Sequence, residues 1–106
     1  MNRSLRRYEM LLPRWFGDRQ VVPEELFGQS LLEIRKQFGA VSSETQIIRG
    51  LWEHDGNIHP DELVRVFVDV PDTADNRQFF VEFKDRLKTR FQQLDIWMTT
   101  YIIEVV

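Results

Sequence analysis

Four separate segments of the chain follow a period of two, in which successive side chains belong to opposite faces, and this predicts four β-strands. The predicted strands cover residues 8–12, 44–52, 63–70 and 95–106. In the third of them one face is purely β-branched and consists of Val64, Val66, Val68 and Val70. The fourth is apolar on both faces, so its pattern leaves open which face points inward.

Two further segments show the period of an amphipathic helix. The first is predicted to start at Pro23 and to end at Phe38, because proline suits a first helical turn and Gly39 suits the residue after the last one. Its apolar stripe is Phe27, Leu31, Ile34 and Phe38. The second helix is predicted over residues 74–93, with a buried stripe of Phe80, Phe83, Leu87, Phe91 and Leu94.

The dipeptide Asp55-Gly56 separates the second and third strands and is typical of a tight hairpin turn. The order of elements is therefore βαββαβ, and each crossover should be right-handed. This order predicts a ferredoxin-like α+β sandwich, in which a four-stranded antiparallel sheet carries both helices on one face. Strands one and three should be central. We expect a single domain over residues 1–106, with residues 1–6 as a flexible basic N-terminus.

The composition excludes several classes of protein. The 106 residues include no cysteine, so disulfides and thiolate metal sites are excluded. A net charge of −3 gives no overall attraction to nucleic acid or to an anionic membrane. The third strand also lacks the glycine–aromatic alternation of RNA-recognition modules. No apolar run approaches the ~20 residues that span a bilayer. We therefore expect a cytoplasmic protein without nucleic-acid or membrane partners.

The strands carry more apolar positions than two helices can cover. The helix-free face of the sheet should receive Leu63 and Phe67 from the third strand, and the first and last strands add further apolar residues. Such a face is unusual on a monomer. We therefore expect a homodimer, formed sheet to sheet or edge to edge. The predicted interface contains Arg65 and Phe67, with Trp97 or Met98 and Tyr101 or Ile102 nearby. The alternative is a monomer whose apolar face is partly screened by Trp15.

Both histidines, His54 and His59, flank the predicted hairpin turn and could face each other across it. With the neighbouring carboxylates they could ligate a metal or exchange protons. Their spacing matches no established ligand pattern, so a solvated hairpin tip is favoured and no metal is predicted. Arg65 lies on an apolar sheet face, where it could bind a ligand anion. A structural ion pair with Asp69 or Glu104 is favoured over that role.

Four short segments resemble segments of a group of small bacterial proteins of about the length of this chain. They are Tyr8–Pro13, Phe38–Val41, Arg49–Trp52 and Asp61–Val64. The resemblance implies a bacterial cytosolic protein with a ferredoxin-like fold. It implies no activity, cofactor or catalytic residue.

The sequence favours a homodimeric module that binds a small ligand or a protein and uses no cofactor. The candidate ligand or interface residues are Arg49, Trp52, His54, His59, Arg65, Phe67, Trp97 and Tyr101. The alternative is a small cofactor-free enzyme of the dimeric α/β-barrel kind, whose cleft would use Arg65, a hairpin histidine and Trp52. A third possibility is an accessory protein that docks through its basic N-terminus.

Overall fold

The computed structural model describes residues 4–106. The elements are β1 (Leu5–Pro13), α1 (Glu24–Phe38), β2 (Ser42–Ser43), β3 (Ile48–His54), β4 (Asn57–Pro71), α2 (Ala74–Arg90) and β5 (Met98–Ile103). They form a ferredoxin-like α+β fold with an antiparallel sheet and two helices, which confirms the predicted class. Residues 1–3 of the predicted flexible N-terminus lie outside the described residues, whereas Leu5 and Arg6 already pair within β1. Across residues 4–106, neither helix is long and apolar enough to cross a membrane.

The sheet has five strands in the order β2-β4-β1-β5, and β3 pairs with β4 further along the same edge. The predicted central strands, which are β1 and β4, are confirmed. The single strand predicted over residues 44–52 is wrong, because its segment is divided between two strands. Ser43 lies opposite Val66, and Ile48 lies opposite Leu63. Four residues therefore face only two on β4, so the loop 44–47 bulges away from β4 after the N–H of Glu44, which still donates to the carbonyl of Arg65 at 2.9 Å.

The hairpin between β3 and β4 has the predicted two-residue turn. Asp55 and Gly56 both adopt positive φ angles, of 52° and 78°, as a turn of type I′ requires. We call residues 48–60 the hairpin arm. None of its residues belongs to the hydrophobic core, because the arm reaches beyond the surface that the helices cover.

The core lies between the helices and one face of the sheet. The predicted valine face is confirmed, since Val66, Val68 and Val70 are buried and Val64 packs against the core. The helices and the segment after α2 contribute Ile34, Phe80, Phe83, Leu87, Phe91 and Ile96. The inclusion of Leu94 in the buried stripe is wrong, because α2 ends at Arg90 and Leu94 is 76% exposed.

The end of α1 at Gly39 is confirmed, and the start of α2 is capped by a side chain. Gly39 follows α1 in the left-handed region at φ 85°, and its N–H donates to the carbonyl of Arg35 at 2.7 Å. Thr73 caps the start of α2 by accepting a hydrogen bond from the N–H of Asn76 at 3.1 Å. These caps fix where each helix meets the sheet.

The prediction of an apolar helix-free face is wrong at the centre of the sheet. There β1 contributes Arg7 and Glu9, which lie directly opposite Asp69 and Phe67 of β4. The predicted strand 8–12 included Glu9 but not Arg7. Because β1 starts at Leu5, Arg7 is also part of the strand, and it lies two residues before Glu9 on the same face. Charged and apolar side chains are therefore mixed on this face.

Candidate ligand-binding cleft

A cleft of about 310 Å³ lies between the start of α1, the loop 44–47 and the sheet. We call it the α1 cleft. It is lined by Leu12, Arg14, Glu24, Phe27, Leu31, Ser43, Glu44, Thr45, Ile47, Val64 and Val66. These residues come from β1 and the residue after it, α1, β2, the loop and β4, so only the folded chain assembles them.

The apolar part of the α1 cleft is a continuation of the core. Leu12 and Val66 are buried, and Phe27 and Leu31 are half-buried on the inward side of α1. The ring of Phe27 is held edge-on by Phe91, with centroids 5.2 Å apart. This part of the cleft is rigid, because each side chain packs against buried neighbours.

The polar part of the α1 cleft contains three charged side chains in different situations. Arg14 donates to Glu62 at 2.8 Å, and Glu44 accepts from Arg65 at 2.9 Å. Glu24 lies in the first turn of α1, where a carboxylate complements the helix dipole, and it forms no ion pair within residues 4–106. The cleft therefore presents one carboxylate that a ligand can approach without breaking an ion pair.

Glu44 joins the α1 cleft to a charged network on the helix-free face. Arg65 binds Glu44 and also Glu9, at 2.5 Å. Tyr101 donates its hydroxyl to the same Glu9 oxygen at 2.6 Å. These two hydrogen bonds lower the pKa of the Glu9 carboxyl below its ordinary value, and the one from Arg65 has the larger effect.

The rest of this network is centred on Phe67. Arg7 donates two hydrogen bonds to Asp69, of 2.7 and 3.0 Å. The guanidinium carbons of Arg7 and Arg65 lie 4.7 and 4.4 Å from the centroid of the Phe67 ring. The structural role predicted for Arg65 therefore fits the geometry, but the predicted partners Asp69 and Glu104 are wrong. Asp69 binds Arg7 because the two residues are direct neighbours across the strands.

The histidines of the hairpin arm do not face each other, so that prediction is wrong. The two-residue turn places His54 opposite Asn57 and His59 opposite Trp52. His59 stacks on Trp52 with centroids 4.7 Å apart, and Nε2 of His54 lies 3.3 Å from Asp55. Within the described part of the chain, no group of three or more His, Cys, Asp or Glu side chains could hold a metal ion.

The remaining predicted site residues are spread over the surface. Arg49 lines a second cleft, of about 440 Å³, next to Trp15, Gly50, Leu51, Pro60, Asp61 and Glu62. Burial there raises the pKa of the Asp61 carboxyl. Trp97 is 67% exposed and lines neither cleft. The residues predicted to act together in an enzyme cleft do not converge either. Arg65 belongs to the charged network on the sheet, whereas Trp52 and the histidines lie on the hairpin arm.

The residues that line the α1 cleft are not recognisable as a site from the sequence pattern. The pattern predicts only a helix start around Glu24 and a core position at Phe27. One signal was present, because the polar run from Ser42 to Gln46 is a poor match to a half-buried strand. That run contains Ser43, Glu44 and Thr45, which all line the cleft.

Comparison with known proteins supports the fold. No protein-family model matches the sequence, and no curated protein matches it. A phage SAM lyase in complex with S-methyl-5′-thioadenosine superposes with a TM-score of 0.70 at 14% identity, over 99% of this chain and 93% of that one. This chain shares its fold. The divalent cation tolerance protein CutA1 of Thermus thermophilus superposes with a TM-score of 0.65 at 12% identity, over 96% of this chain and 86% of that one. The GlnK–ATP complex of B. subtilis superposes with a TM-score of 0.61 at 14% identity, over 97% of this chain and 84% of that one.

Proposed function

We propose that this chain is a small-ligand-binding module that takes an adenosine compound into the α1 cleft. The observation that carries the proposal is the composition of the cleft, which joins a packed apolar floor to a few polar groups at its rim. Small-molecule sites have this pattern, and their volumes start at about 300 Å³. The 310 Å³ of the α1 cleft therefore suits a nucleoside.

Two of the structures that share the fold support the choice of ligand. The phage SAM lyase holds S-methyl-5′-thioadenosine, and GlnK holds ATP. Both compounds contain adenosine. In this chain a flat purine would pack against the aliphatic part of the floor, and the hydroxyls of Ser43 and Thr45 would bind the polar edges of the ligand.

Calorimetric titration of the protein with S-methyl-5′-thioadenosine tests the proposal. We expect saturable binding that Ile47→Arg weakens by about tenfold or more, because Ile47 lines the α1 cleft and is 44% exposed, so that the new side chain blocks the cleft without disturbing the core. Leu51→Arg is the matched control, since Leu51 is exposed and lies outside this cleft.

Three results would contradict the proposal. If neither S-methyl-5′-thioadenosine nor ATP binds, the proposed ligand class is wrong. If binding is unchanged in Ile47→Arg, the α1 cleft is not the binding site. Loss of binding in Leu51→Arg alone would move the ligand to the second cleft.

We further propose that copies of the chain associate through the helix-free face of the sheet. The charged side chains at the centre of this face, Arg7, Glu9, Arg65 and Asp69, each have an ion-pair partner within the chain, so a second copy could cover them without burying an unpaired ion. Apolar side chains surround them on the same face, and these are Leu5, Leu11, Leu63, Phe67 and Ile103. Covering these side chains would supply the driving force.

Light scattering coupled to size exclusion tests the association. We expect a mass that is a multiple of 12.8 kDa and that falls to the monomer value in Leu11→Lys. Val81→Lys is the control, because Val81 is 52% exposed on α2, away from the sheet. A wild-type protein that elutes as a monomer at micromolar concentration contradicts the proposal.

A further inference from the structure

We infer that the ligand of the α1 cleft carries a positive charge beside its adenosine group, as a sulfonium compound does. This inference rests on the proposed function and narrows it, because adenosine compounds can be cationic, neutral or anionic. It follows from the charges of the cleft and from the aromatic ring at its floor.

The ion pairs around the cleft leave negative charge uncompensated. Arg14 is neutralised by Glu62. Arg65 binds two carboxylates, those of Glu9 and Glu44, and can balance only one of them.

Glu24 adds a second negative charge, because it forms no ion pair within residues 4–106. The start of α1 offsets only about half an elementary charge. The rim of the α1 cleft is therefore negative, and it attracts a cation.

The floor of the cleft suits a cation that is alkylated rather than strongly hydrated. Phe27 lines the cleft, and a cation close to an aromatic ring is attracted by its quadrupole. The methyl and methylene groups of a sulfonium can also pack against Leu31 and Val64, which line the same cleft. A carboxylate rim above an aromatic and aliphatic floor therefore fits an organic cation.

The same charges disfavour a nucleotide with several phosphates. A triphosphate placed in the cleft would lie close to Glu24 and Glu44, and like charges at short range repel. The structure therefore distinguishes between the two adenosine compounds seen in proteins of this fold. It favours a relative of S-methyl-5′-thioadenosine over ATP.

Calorimetric titration with a matched pair of probes tests the inference. S-adenosylmethionine and S-adenosylhomocysteine differ by one methyl group and one positive charge. We expect the sulfonium to bind about tenfold more tightly at low salt, and the preference to shrink as salt is added.

Two substitutions locate the effect. Glu24→Gln and Glu44→Gln should each reduce the preference for the sulfonium to about threefold, because each removes one negative charge from the rim. Glu25→Gln is the matched control, since Glu25 belongs to the same helical turn but does not line the cleft. Thermal melting checks that each variant remains folded.

The possible results are distinct. Equal binding of the two probes overturns the inference and leaves the proposed function standing. Failure of every adenosine compound to bind overturns both. An equal loss of preference in Glu24→Gln and Glu25→Gln also overturns the inference, because the charge would then act from outside the cleft.

Discussion

Tyr8 of β1 and Phe80 of α2 stack face to face, with ring centroids 3.9 Å apart and an angle of 11° between the ring planes. Both side chains are buried. Phe80 also stacks on Phe38 at the end of α1, with centroids 5.3 Å apart. One phenyl ring therefore connects the sheet to both helices.

Replacing Phe80 with alanine should remove this connection. We expect Phe80→Ala to lower the free energy of unfolding by about 3–5 kcal/mol, because it deletes a fully buried ring and leaves a cavity. Urea denaturation measures the change. Val81→Ala is the neighbouring control, and its exposed side chain should contribute no more than about 0.5 kcal/mol. A loss in Phe80→Ala as small as that of the control would show that the ring is not part of the core.

Two glycines near α1 should respond to alanine in opposite ways. Gly28 lies inside the helix, and an added Cβ would meet no atom within 4 Å apart from its chain neighbours and the helix backbone, so Gly28→Ala should stabilise the protein by about 0.5–1 kcal/mol. Gly39 has a left-handed φ of 85°, so Gly39→Ala should destabilise it by about 1 kcal/mol. Thermal or urea unfolding of both variants checks the pair. A gain in stability in Gly39→Ala would contradict the assigned helix end.

The Glu9 carboxyl should make the stability depend on pH on the acidic side. Because Arg65 lowers the pKa of Glu9 in the folded state, ionised Glu9 stabilises the fold above the ordinary value of 4.5. That contribution is lost as the pH falls through the lowered pKa. The difference in unfolding free energy between the wild type and Glu9→Gln should therefore be constant near neutrality and shrink below 4.5.

Urea denaturation of both proteins at a series of pH values measures this difference. Glu25→Gln, an exposed glutamate outside the network, gives the baseline for loss of one carboxylate. A wild-type advantage over Glu9→Gln that persists unchanged into strong acid would contradict the ion pair with Arg65.

The Asp61 carboxyl should make the stability depend on pH in the opposite direction. Burial raises its pKa above the ordinary 3.8, so the folded protein favours the protonated carboxyl, and stability is lost as the pH rises through the raised pKa. Asp61→Asn is neutral at every pH and keeps an oxygen that can accept the N–H of Glu62. We therefore expect a higher melting temperature than that of the wild type at neutral pH, and no difference below 3.8. A lower melting temperature at neutral pH would contradict this account.

The fold was predictable because its signals are local. The valine face of β4 and the stripe of α2 follow directly from periods of two and 3.6 residues. The end of α1 at Gly39 follows from the backbone angle that glycine tolerates. Each of these features is decided by residues within a few positions of one another in the sequence.

The division between β2 and β3 was not predictable in the same way. It depends on a register in which Ser43 meets Val66 while Ile48 meets Leu63. The α1 cleft likewise joins Glu24 to Glu44 through tertiary packing. The charged network on the sheet arises because Arg7 and Glu9 lie beside β4, and an isolated strand pattern does not reveal its neighbour.

The hairpin arm makes the stability of the molecule uneven. Because residues 48–60 contribute nothing to the core, their strand pairing can open while the helices and the inner strands stay folded. Amide hydrogens of the arm should therefore exchange with deuterium well before those of Met10 or Val66, which are buried at the centre of the sheet. Proteases should also cut the native protein first near the Asp55-Gly56 turn and spare its compact half.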